Sequence, residues 1–190
     1  PAVSPPGAST AAFVIRNASV TLTGISITAL GSINYGIYAS SANVRLSSMI
    51  VNGGSAITGA GIVISSFSFV FNSCVTVQNA HGLRIDGSNN LVDYIAMTNA
   101  APTLFRALEM VGVSSNTISH GRFFNASAAP VNVTGVGAHN NTISFSTITC
   151  NTASVAALNI TGGAYSNMLT QNYIFGQNGA GVWLQGSGGF

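Results

Sequence analysis

The feature that most constrains this chain is a pair of apolar residues that returns about every 24 residues. The first residue of each pair is Phe13, Ile37, Ile62, Leu83, Leu108, Val131, Leu158 or Val182. The second, two positions later, is Ile15, Ala39, Ile64, Ile85, Met110, Val133, Ile160 or Leu184. Apolar residues at alternate positions lie on one face of a β-strand, whereas a helix needs spacings of three and four. The pattern therefore predicts a short strand in each repeat.

Each repeat continues with further short alternating segments, such as residues 142–145 and 147–149. Three short strands per repeat indicate a parallel β-solenoid, because one coil cannot bury its apolar face alone and stacked coils form one long core. An antiparallel β-sandwich also contains many short strands, but it does not predict the same apolar pair in every repeat. We therefore predict an all-β solenoid of about seven to eight coils, each of roughly 24 residues.

Asparagine recurs at the predicted ends of the coils, at Asn52, Asn79, Asn99, Asn125, Asn151 and Asn178. Asparagine tolerates left-handed backbone and hydrogen-bonds locally, so it suits a tight corner. Stacked amides can also pair from one coil to the next. The recurrence predicts an asparagine column at the coil ends, in which such pairing can occur.

Charged residues are scarce: Asp, Glu, Lys and Arg make up 4% of the sequence, against about 25% in an average domain. This excludes the clustered basic face of a nucleic-acid-binding protein, and no apolar run of about 18 residues predicts a membrane-spanning helix. A surface so poor in charge is weakly protected against association. We therefore expect flanks that pack against neighbours, carry glycans or face carbohydrate.

The first eleven residues, rich in Pro, Ser and Ala, are predicted to be an extended lead-in, and residues 12–190 a single solenoid domain. Neither the first nor the last repeat resembles the polar capping repeat that solenoids usually need, and open sheet edges recruit partners. We expect either a piece of a longer chain or a subunit whose ends dock onto other subunits.

The two cysteines, Cys74 and Cys150, are too few for a disulfide framework. We expect both to be buried as small apolar side chains. The repeat register places them about three coils apart, roughly 14 Å along the axis, which is too far for a bridge within one chain.

Three phrases carry a resemblance to a known group: residues 115–119 (SNTIS), 140–144 (NNTIS) and 181–184 (GVWL). They are similar to the repeats of the pectin-lyase-like superfamily, which includes pectate lyases, polygalacturonases, NosD-like carbohydrate-binding repeats and phage tailspikes. The likeness covers about residues 12–190. It implies a right-handed, single-stranded parallel β-helix, and no single activity, because one fold carries many functions.

The resemblance also directs attention to carboxylates, because enzymes of this group cut polysaccharides with clustered acidic residues, or with Asp plus Arg or Lys. In the repeat alignment Arg84 and Glu109 hold the same outward position on adjacent coils, and Asp86 lies two residues from Arg84 on the same face. One interpretation is a catalytic acid/base pair with an arginine that positions the substrate. The other is a surface ion pair across two coils, which contributes about 0–1 kcal/mol.

A second candidate pair is Asp93 and His120, which align on successive coils two residues after their apolar anchors, Leu91 and Ile118. Such a pair can act as a general base, or it can be a plain hydrogen bond. The histidines and cysteines share no metal-ligand spacing, and no loop has the pattern of a phosphate cradle. We predict no metal and no cofactor.

Two aromatic residues, Tyr38 and Trp183, occupy the outward position between the residues of the core pair. They could stack on sugar rings or anchor a protein interface, where Tyr and Trp are enriched. Val14 and Val63 lie in the same outward column and favour the interface.

Glycan attachment is a further hypothesis, because five Asn-X-Ser/Thr sequons occur in the chain. Many such sequons arise by chance in a chain rich in Asn, Ser and Thr. Asn132 and Asn159 are the outward ones in the alignment, so we name them as candidate sites in an exported protein.

Three functions compete on the sequence alone. The first is an extracellular, cell-surface or virion solenoid that acts as a spike, fibre or surface-layer segment, packing laterally and end-on against copies of itself (as trimers or filaments) or against neighbouring domains. The second is a polysaccharide lyase or glycoside hydrolase that uses Arg84, Asp86 and Glu109. The third is a carbohydrate-binding module that uses Tyr38 and Trp183. The scarcity of charge, the uncapped ends and the apolar outward residues favour the first.

Overall fold

The computed structural model describes residues 1–5, 9–100, 105–153 and 155–186, without the side chain of Asn178. These residues form short β-strands and no helix. In chain order the strands are β1 Ala2–Val3, β2 Ala11–Ile15, β3 Thr21–Thr23, β4 Ser26–Thr28, β5 Ile33–Ala39, β6 Arg45–Ser47, β7 Ile50–Gly54, β8 Ile57–Ile64, β9 Phe69–Val77, β10 His81–Ile85, β11 Leu91–Asn99, β12 Leu108–Val111, β13 Thr117–Ser119, β14 Arg122–Asn125, β15 Val131–Thr134, β16 Thr142–Ser144, β17 Thr147–Ala153, β18 Leu158–Thr161, β19 Met168–Thr170, β20 Tyr173–Asn178 and β21 Val182–Leu184.

The strands stack in parallel on three faces of a solenoid of about seven turns. The first face is one sheet, in the order β2-β5-β8-β10-β12-β15-β18-β21. The second face holds β3, β6, the starts of β9 and β11, β13, β16 and β19. The third face holds β1, β4, β7, the ends of β9 and β11, β14, β17 and β20.

The register of the first face confirms the predicted column of core pairs. Leu83 pairs with Ile62 on one side and with Leu108 on the other, and the column continues through Val131 to Leu158. An antiparallel sandwich has no such ladder, so the solenoid interpretation is correct.

Apolar side chains from all three faces meet in one core that runs along the axis. The inward column of the third face illustrates this, because its members stack in register and are fully buried: Ile27, Val51, Val75, Met97, Phe123 and Ile148. Each coil thus covers the apolar surface of the coil before it, as expected of stacked repeats.

Glycine directly precedes the core pair in several first-face strands, as Gly36, Gly61 and Gly82, because the coils approach closely there. A β-carbon on Gly82 would lie 2.5 Å from the carbonyl oxygen of Ala107 and 3.2 Å from Cβ of Met97. Contacts that short require the backbone to move, so a side chain at this position has no room.

Two corners of each coil turn through a residue in left-handed conformation. The corner before the second face uses Ser19, Asn43, Phe67, Asn89, Ser115, Asn140 and Ser166, all with positive φ. The corner after it uses Gly24, Ser48, Asn72, Tyr94, His120, Phe145 and Gln171, also with positive φ. Gly and Asn are the usual occupants of this conformation, so the three ring-bearing residues in the second corner are exceptional.

An asparagine ladder forms inside the solenoid, at the residue before each of the last four second-face strands, β11, β13, β16 and β19. Nδ2 of Asn90 donates to Oδ1 of Asn116 at 2.9 Å, Asn116 donates to Asn141 at 2.9 Å, and Asn141 donates to Asn167 at 2.9 Å. Each Oδ1 also accepts the backbone N–H of the asparagine one coil earlier. The ladder therefore satisfies buried backbone donors at a corner where the sheet cannot.

The predicted asparagine column at the coil ends was wrong. Of its described members, only Asn99 and Asn125 are register partners, while Asn52 pairs with Thr76 and Asn125 with Cys150 on the next coil. The coil ends differ in length and shape, so their asparagines do not lie above one another.

The start of the predicted lead-in takes part in the fold. Ala2 and Val3 pair in parallel with Ser26 and Ile27, which adds β1 to the third face. The strand β2 begins at Ala11.

The predictions for the two cysteines are confirmed in part. Cys74 lies in register with Ala96, then Arg122, then Thr147 in the strand that carries Cys150, so the predicted separation of three coils is confirmed. Both thiols are free, and Cys150 is buried. Cys74 is exposed, contrary to the prediction, because it points outward from the third face.

Candidate functional site

The outward column of the first face is the one that the repeat alignment predicts. Tyr38 pairs with Val63, Val63 with Arg84, and Arg84 with Glu109. Asn132, Asn159 and Trp183 continue the column. Val63 points outward but is buried, with the larger Tyr38 and Arg84 as its register neighbours, so this part of the face is covered by side chains.

Arg84 and Asp86 form a two-bonded ion pair on this face. Nε and Nη2 of Arg84 donate to the two carboxylate oxygens of Asp86 at 2.8 Å and 2.7 Å. The guanidinium also lies 5.6 Å from the ring centre of Tyr35, which stacks on Tyr38 at 5.0 Å. The hydrogen bond to Asp86 raises the pKa of Arg84. This pairing occupies the arginine that the catalytic interpretation assigns to the substrate.

Glu109 is the less exposed acid of the face and does not bond to Arg84. Its Oε1 accepts a hydrogen bond from Nδ2 of Asn132 at 2.9 Å. Its Oε2 is buried and has no hydrogen-bond partner among the described residues. Burial raises the pKa of Glu109, and the bond from Asn132 and the charges of Arg106 and Arg84 offset this only in part. A carboxyl group in such a setting holds a proton more readily than an exposed one.

His81 completes the group, although sequence reasoning considered it only as a metal ligand. Its Nδ1 accepts the backbone N–H of Arg106 at 3.2 Å and lies 3.9 Å from Oε2 of Glu109. Burial, with the nearby charges of Arg84 and Arg106, lowers the pKa of His81 to about 4. The imidazole is therefore neutral near pH 7. Its place on the same strand as Arg84 was the available signal.

We call His81, Arg84, Asp86, Arg106 and Glu109 the polar cluster. It holds five of the eleven Arg, Asp, Glu and His side chains of the sequence. The arrangement brings together an acid of raised pKa, a neutral imidazole and an ion pair. These are the components of general acid–base chemistry.

Asp93 and His120 also meet, but not by the predicted alignment. Nδ1 of His120 lies 2.8 Å from Oδ1 of Asp93. The register partner of Asp93 is Ser119, and Ile118 pairs with Val92 rather than with Leu91. His120 is one residue further on, and its left-handed corner conformation brings the ring back to Asp93.

Asp93 accepts three hydrogen bonds on the same oxygen. Besides His120, the hydroxyl of Ser119 donates to Oδ1 at 2.8 Å and the backbone N–H of Tyr94 at 3.1 Å. Burial opposes ionisation, but these bonds outweigh it and lower the pKa of Asp93. The pair therefore anchors the corner as an ionised, hydrogen-bonded carboxylate.

The rings of Tyr94, His120 and Phe145 stack along the corner after the second face, and we call these three residues the aromatic corner. Tyr94 and His120 lie 4.5 Å apart at an interplanar angle of 3°, and His120 and Phe145 lie 5.3 Å apart at 10°. Tyr94 is 60% exposed and Phe145 51%. Sequence periodicity gave no signal for it, because it depends on backbone conformation at the corner.

A phenylalanine pair lies next to the aromatic corner on the second face. The rings of Phe69 and Phe71 point outward from β9 and stack at 6.1 Å. Arg45, one coil earlier, places its guanidinium 5.8 Å and 5.3 Å from the two ring centres. Cation–π contacts of this kind hold the guanidinium over the rings. The second face therefore presents a phenylalanine pair with the positive charge of Arg45 beside it.

The two aromatic residues proposed for contact lie far apart on the first face. Tyr38 stacks on Tyr35 and is half-buried, whereas Trp183 is exposed. Six register steps separate them, roughly 29 Å, so they cannot serve one small site. Trp183 borders a shallow cavity of about 240 Å³ whose lining is Val155, Ala156, Asn159, Thr161, Trp183 and Gln185.

Asn132 and Asn159, the candidate glycosylation sites, lie within β15 and β18. The amide of Asn132 is bonded to Glu109. Glycan acceptors usually lie in exposed loops, so the strand setting lends the glycosylation hypothesis no support.

The described residues contain neither a metal-binding cluster nor a membrane-spanning helix. No group of three or more His, Cys, Asp or Glu side chains there is arranged to hold a metal ion. The described part of the chain also contains no helix long and apolar enough to cross a membrane.

Comparisons with protein-family models, with curated proteins and with solved structures gave no match for this chain. Its function has to be argued from its own residues.

Proposed function

We propose that this chain is a structural β-solenoid of an extracellular or virion assembly, and that it works by packing its second face against another copy of itself. The observation that carries the proposal is the aromatic corner beside the phenylalanine pair. Together they form an apolar strip on the flank of the solenoid, in which Tyr94 and Phe145 are exposed and Phe69 and Phe71 are half-buried.

The left-handed backbone conformation of the aromatic corner costs free energy. A left-handed residue with a side chain costs about 1–2 kcal/mol relative to the right-handed conformation, and Gly and Asn avoid most of it. The same corner uses Gly24 and Asn72 on other coils. Tyr94, His120 and Phe145 accept the strain in three successive coils, which is the behaviour of residues retained for surface contacts rather than for the turn.

The geometry of the rings favours a protein partner over a sugar. Sugars stack on open ring faces, but the inner faces of this stack are covered by the neighbouring rings. What remains exposed along the corner is a row of ring edges. Aromatic edges and faces packed against apolar groups are typical of protein interfaces.

The scarcity of charge and the repeat resemblance support the same proposal. Few charges oppose the approach of a second copy. We propose kinship with the pectin-lyase-like superfamily on the strength of the repeat phrases, and its tailspike members make a structural role outside the cell reasonable. Trp183 and its cavity offer a separate place where such a solenoid could contact carbohydrate.

Replacing Tyr94 with asparagine should weaken self-association at least about tenfold, because an aromatic anchor at an interface is worth more than 1 kcal/mol. Asparagine suits the left-handed corner, so the fold should persist. Sedimentation velocity over a concentration series measures the effect, and electron microscopy shows whether the assemblies are pairs, trimers or filaments.

The matched control for this test is Leu30→Asn, which changes an equally apolar residue that is 78% exposed and lies outside the second face. It should associate like the unmodified chain. A chain that stays monomeric at every concentration, or equal weakening by both variants, would contradict the proposal.

A second candidate function is polysaccharide cleavage at the polar cluster, favoured by the buried, unpartnered Oε2 and the raised pKa of Glu109. A protonated carboxyl could donate its proton to a glycosidic oxygen. If so, Glu109→Gln should abolish the release of reducing ends or unsaturated sugars from a panel of acidic and neutral polysaccharides.

The control for cleavage is Asp93→Asn, which removes an acid outside the polar cluster. It should cleave at the rate of the unmodified chain. Release that survives in Glu109→Gln would remove the cluster from consideration, and release lost in Asp93→Asn instead would move the chemistry to the Asp93–His120 pair.

A further inference from the structure

We propose that two copies pair second face to second face in antiparallel orientation, centred on the coil that carries Phe69 and Phe71. This inference rests on the proposed function, because it names the partner surface and the register of that self-association. The two-fold axis runs along the strand direction, so each coil meets the coil equally far on the other side of the centre. Such a contact is isologous: the same patch serves both copies.

The charges of the second face select this register. Among the described residues of its strands, Arg45 is the cation and Asp93 is the anion. Arg45 pairs with Phe69 one coil before the centre, and Asp93 pairs with Phe71 one coil after it. Antiparallel pairing on that centre therefore brings Arg45 of each copy to the coil level of Asp93 in the other, opposite Leu91 and two residues along the strand from Asp93. The long arginine side chain spans that step of about 7 Å, and the charge pair forms twice.

Both charged groups have capacity for an outside partner. Arg45 is exposed and forms no ion pair with any described acidic residue. The hydrogen bonds of Asp93 all reach Oδ1, so Oδ2 accepts none from the described residues. A guanidinium that contacts a carboxylate across an interface steers the approach and fixes the register.

Parallel pairing of the same faces is disfavoured. It sets each coil against the identical coil of the partner, so Arg45 meets the level of Arg45 and Asp93 meets the level of Asp93. Like charges in one interface cost free energy and reject that arrangement. A parallel pair slipped by two coils would join Arg45 to Asp93 only once.

The shape of the corner agrees with the antiparallel register. Tyr94 lies one coil after the centre and meets Ser48 of the second copy, one coil before it. His120 lies two coils after the centre and meets Gly24. Tyr94 and His120 thus face small residues of the same corner column, as close packing at an interface requires, while Phe145 lies one coil beyond the paired part of the face.

Charge reversal tests the register on the full chain. Arg45→Glu alone and Asp93→Lys alone should each weaken self-association at least about tenfold, and the double variant should recover to within about threefold of the unmodified chain, because the pair is rebuilt with its signs exchanged. Sedimentation velocity measures the dissociation constants, and circular dichroism confirms that each variant retains its strands.

Cysteine crosslinking tests the register without touching Asp93, in case Asp93→Lys fails to fold. In a Cys74→Ser background, Asn72→Cys lies on the two-fold axis and should form a covalent dimer on oxidation. Ser48→Cys alone should not, since it faces Tyr94 rather than itself. Parallel pairing reverses the strand direction between the copies and sets this corner against the corner before the second face, so it predicts that neither variant crosslinks.

The outcomes separate this inference from the function on which it rests. A chain that self-associates while the double charge variant fails to recover, while Asn72→Cys forms no covalent dimer, or while Ser48→Cys forms one, overturns the antiparallel register and leaves self-assembly standing. A chain that remains monomeric overturns both.

Discussion

Replacing Leu108 with alanine should lower the free energy of unfolding by about 4 kcal/mol, since truncating a buried leucine removes transfer energy and leaves a cavity. Leu108 is fully buried and stacks between Leu83 and Val131 in the middle of the solenoid. For a domain of this size the loss corresponds to a fall of roughly 8–16 °C in Tm. Chemical denaturation followed by circular dichroism measures it.

Leu30→Ala provides the matched control, because the same chemical change occurs at a leucine that is 78% exposed. Its effect should stay within about 0.5 kcal/mol. Equal effects of the two substitutions would mean that the first-face column does not form the core, and the stacked fold would then be wrong.

Replacing Asn116 with alanine should cost about 3 kcal/mol, because it breaks the ladder in its middle. The backbone N–H and Nδ2 of Asn90 both lose their acceptor, at 3.0 Å and 2.9 Å, and Oδ1 of Asn141 loses one donor. Each buried polar group left unsatisfied costs about 1–3 kcal/mol. Thermal unfolding is the direct measurement.

Two further variants locate the cause of that loss. Asn116→Ser should cost less than Asn116→Ala, because Ser68 already holds this column one coil before Asn90 and accepts the backbone N–H of Val44 through its hydroxyl. Asn52→Ala, at an exposed asparagine of β7, should change little. If Asn116→Ala behaved like Asn52→Ala, the ladder would contribute nothing to stability.

The core column could be predicted because burial leaves a direct mark on the sequence. Leu83, Leu108, Val131 and Leu158 must be apolar in every coil, and alternation fixes which side they face. The outward neighbours, including Arg84 and Glu109, then follow from the same register without further assumptions.

The asparagine ladder is a feature that hydrophobic alternation could not predict. Asn116 directly precedes β13 and Asn125 is the last residue of β14. Only Asn116 belongs to the inward amide column. Composition marks a corner, but which asparagine stacks depends on the length of each coil. The alignment of Asp93 with His120 is wrong by one residue. It uses Leu91 as the apolar anchor, whereas Val92 is the buried residue.

The aromatic corner and the pKa shifts within the polar cluster lay beyond sequence reasoning for a different reason. A positive φ at Tyr94 or Phe145 leaves no trace in hydrophobic periodicity. The raised pKa of Glu109 and the lowered pKa of His81 come from burial by side chains of other coils. Both features require distances in space rather than spacings along the chain.

Because the coils stack in register, the length of the solenoid grows in equal steps. Every coil adds the same increment of about 4.8 Å, and each presents the next with an equivalent platform of strands. Length can therefore change by whole coils, through duplication or loss of one repeat, while cross-section and lateral chemistry stay as they are. A lineage that needed a longer or shorter rod could obtain one without inventing a new fold.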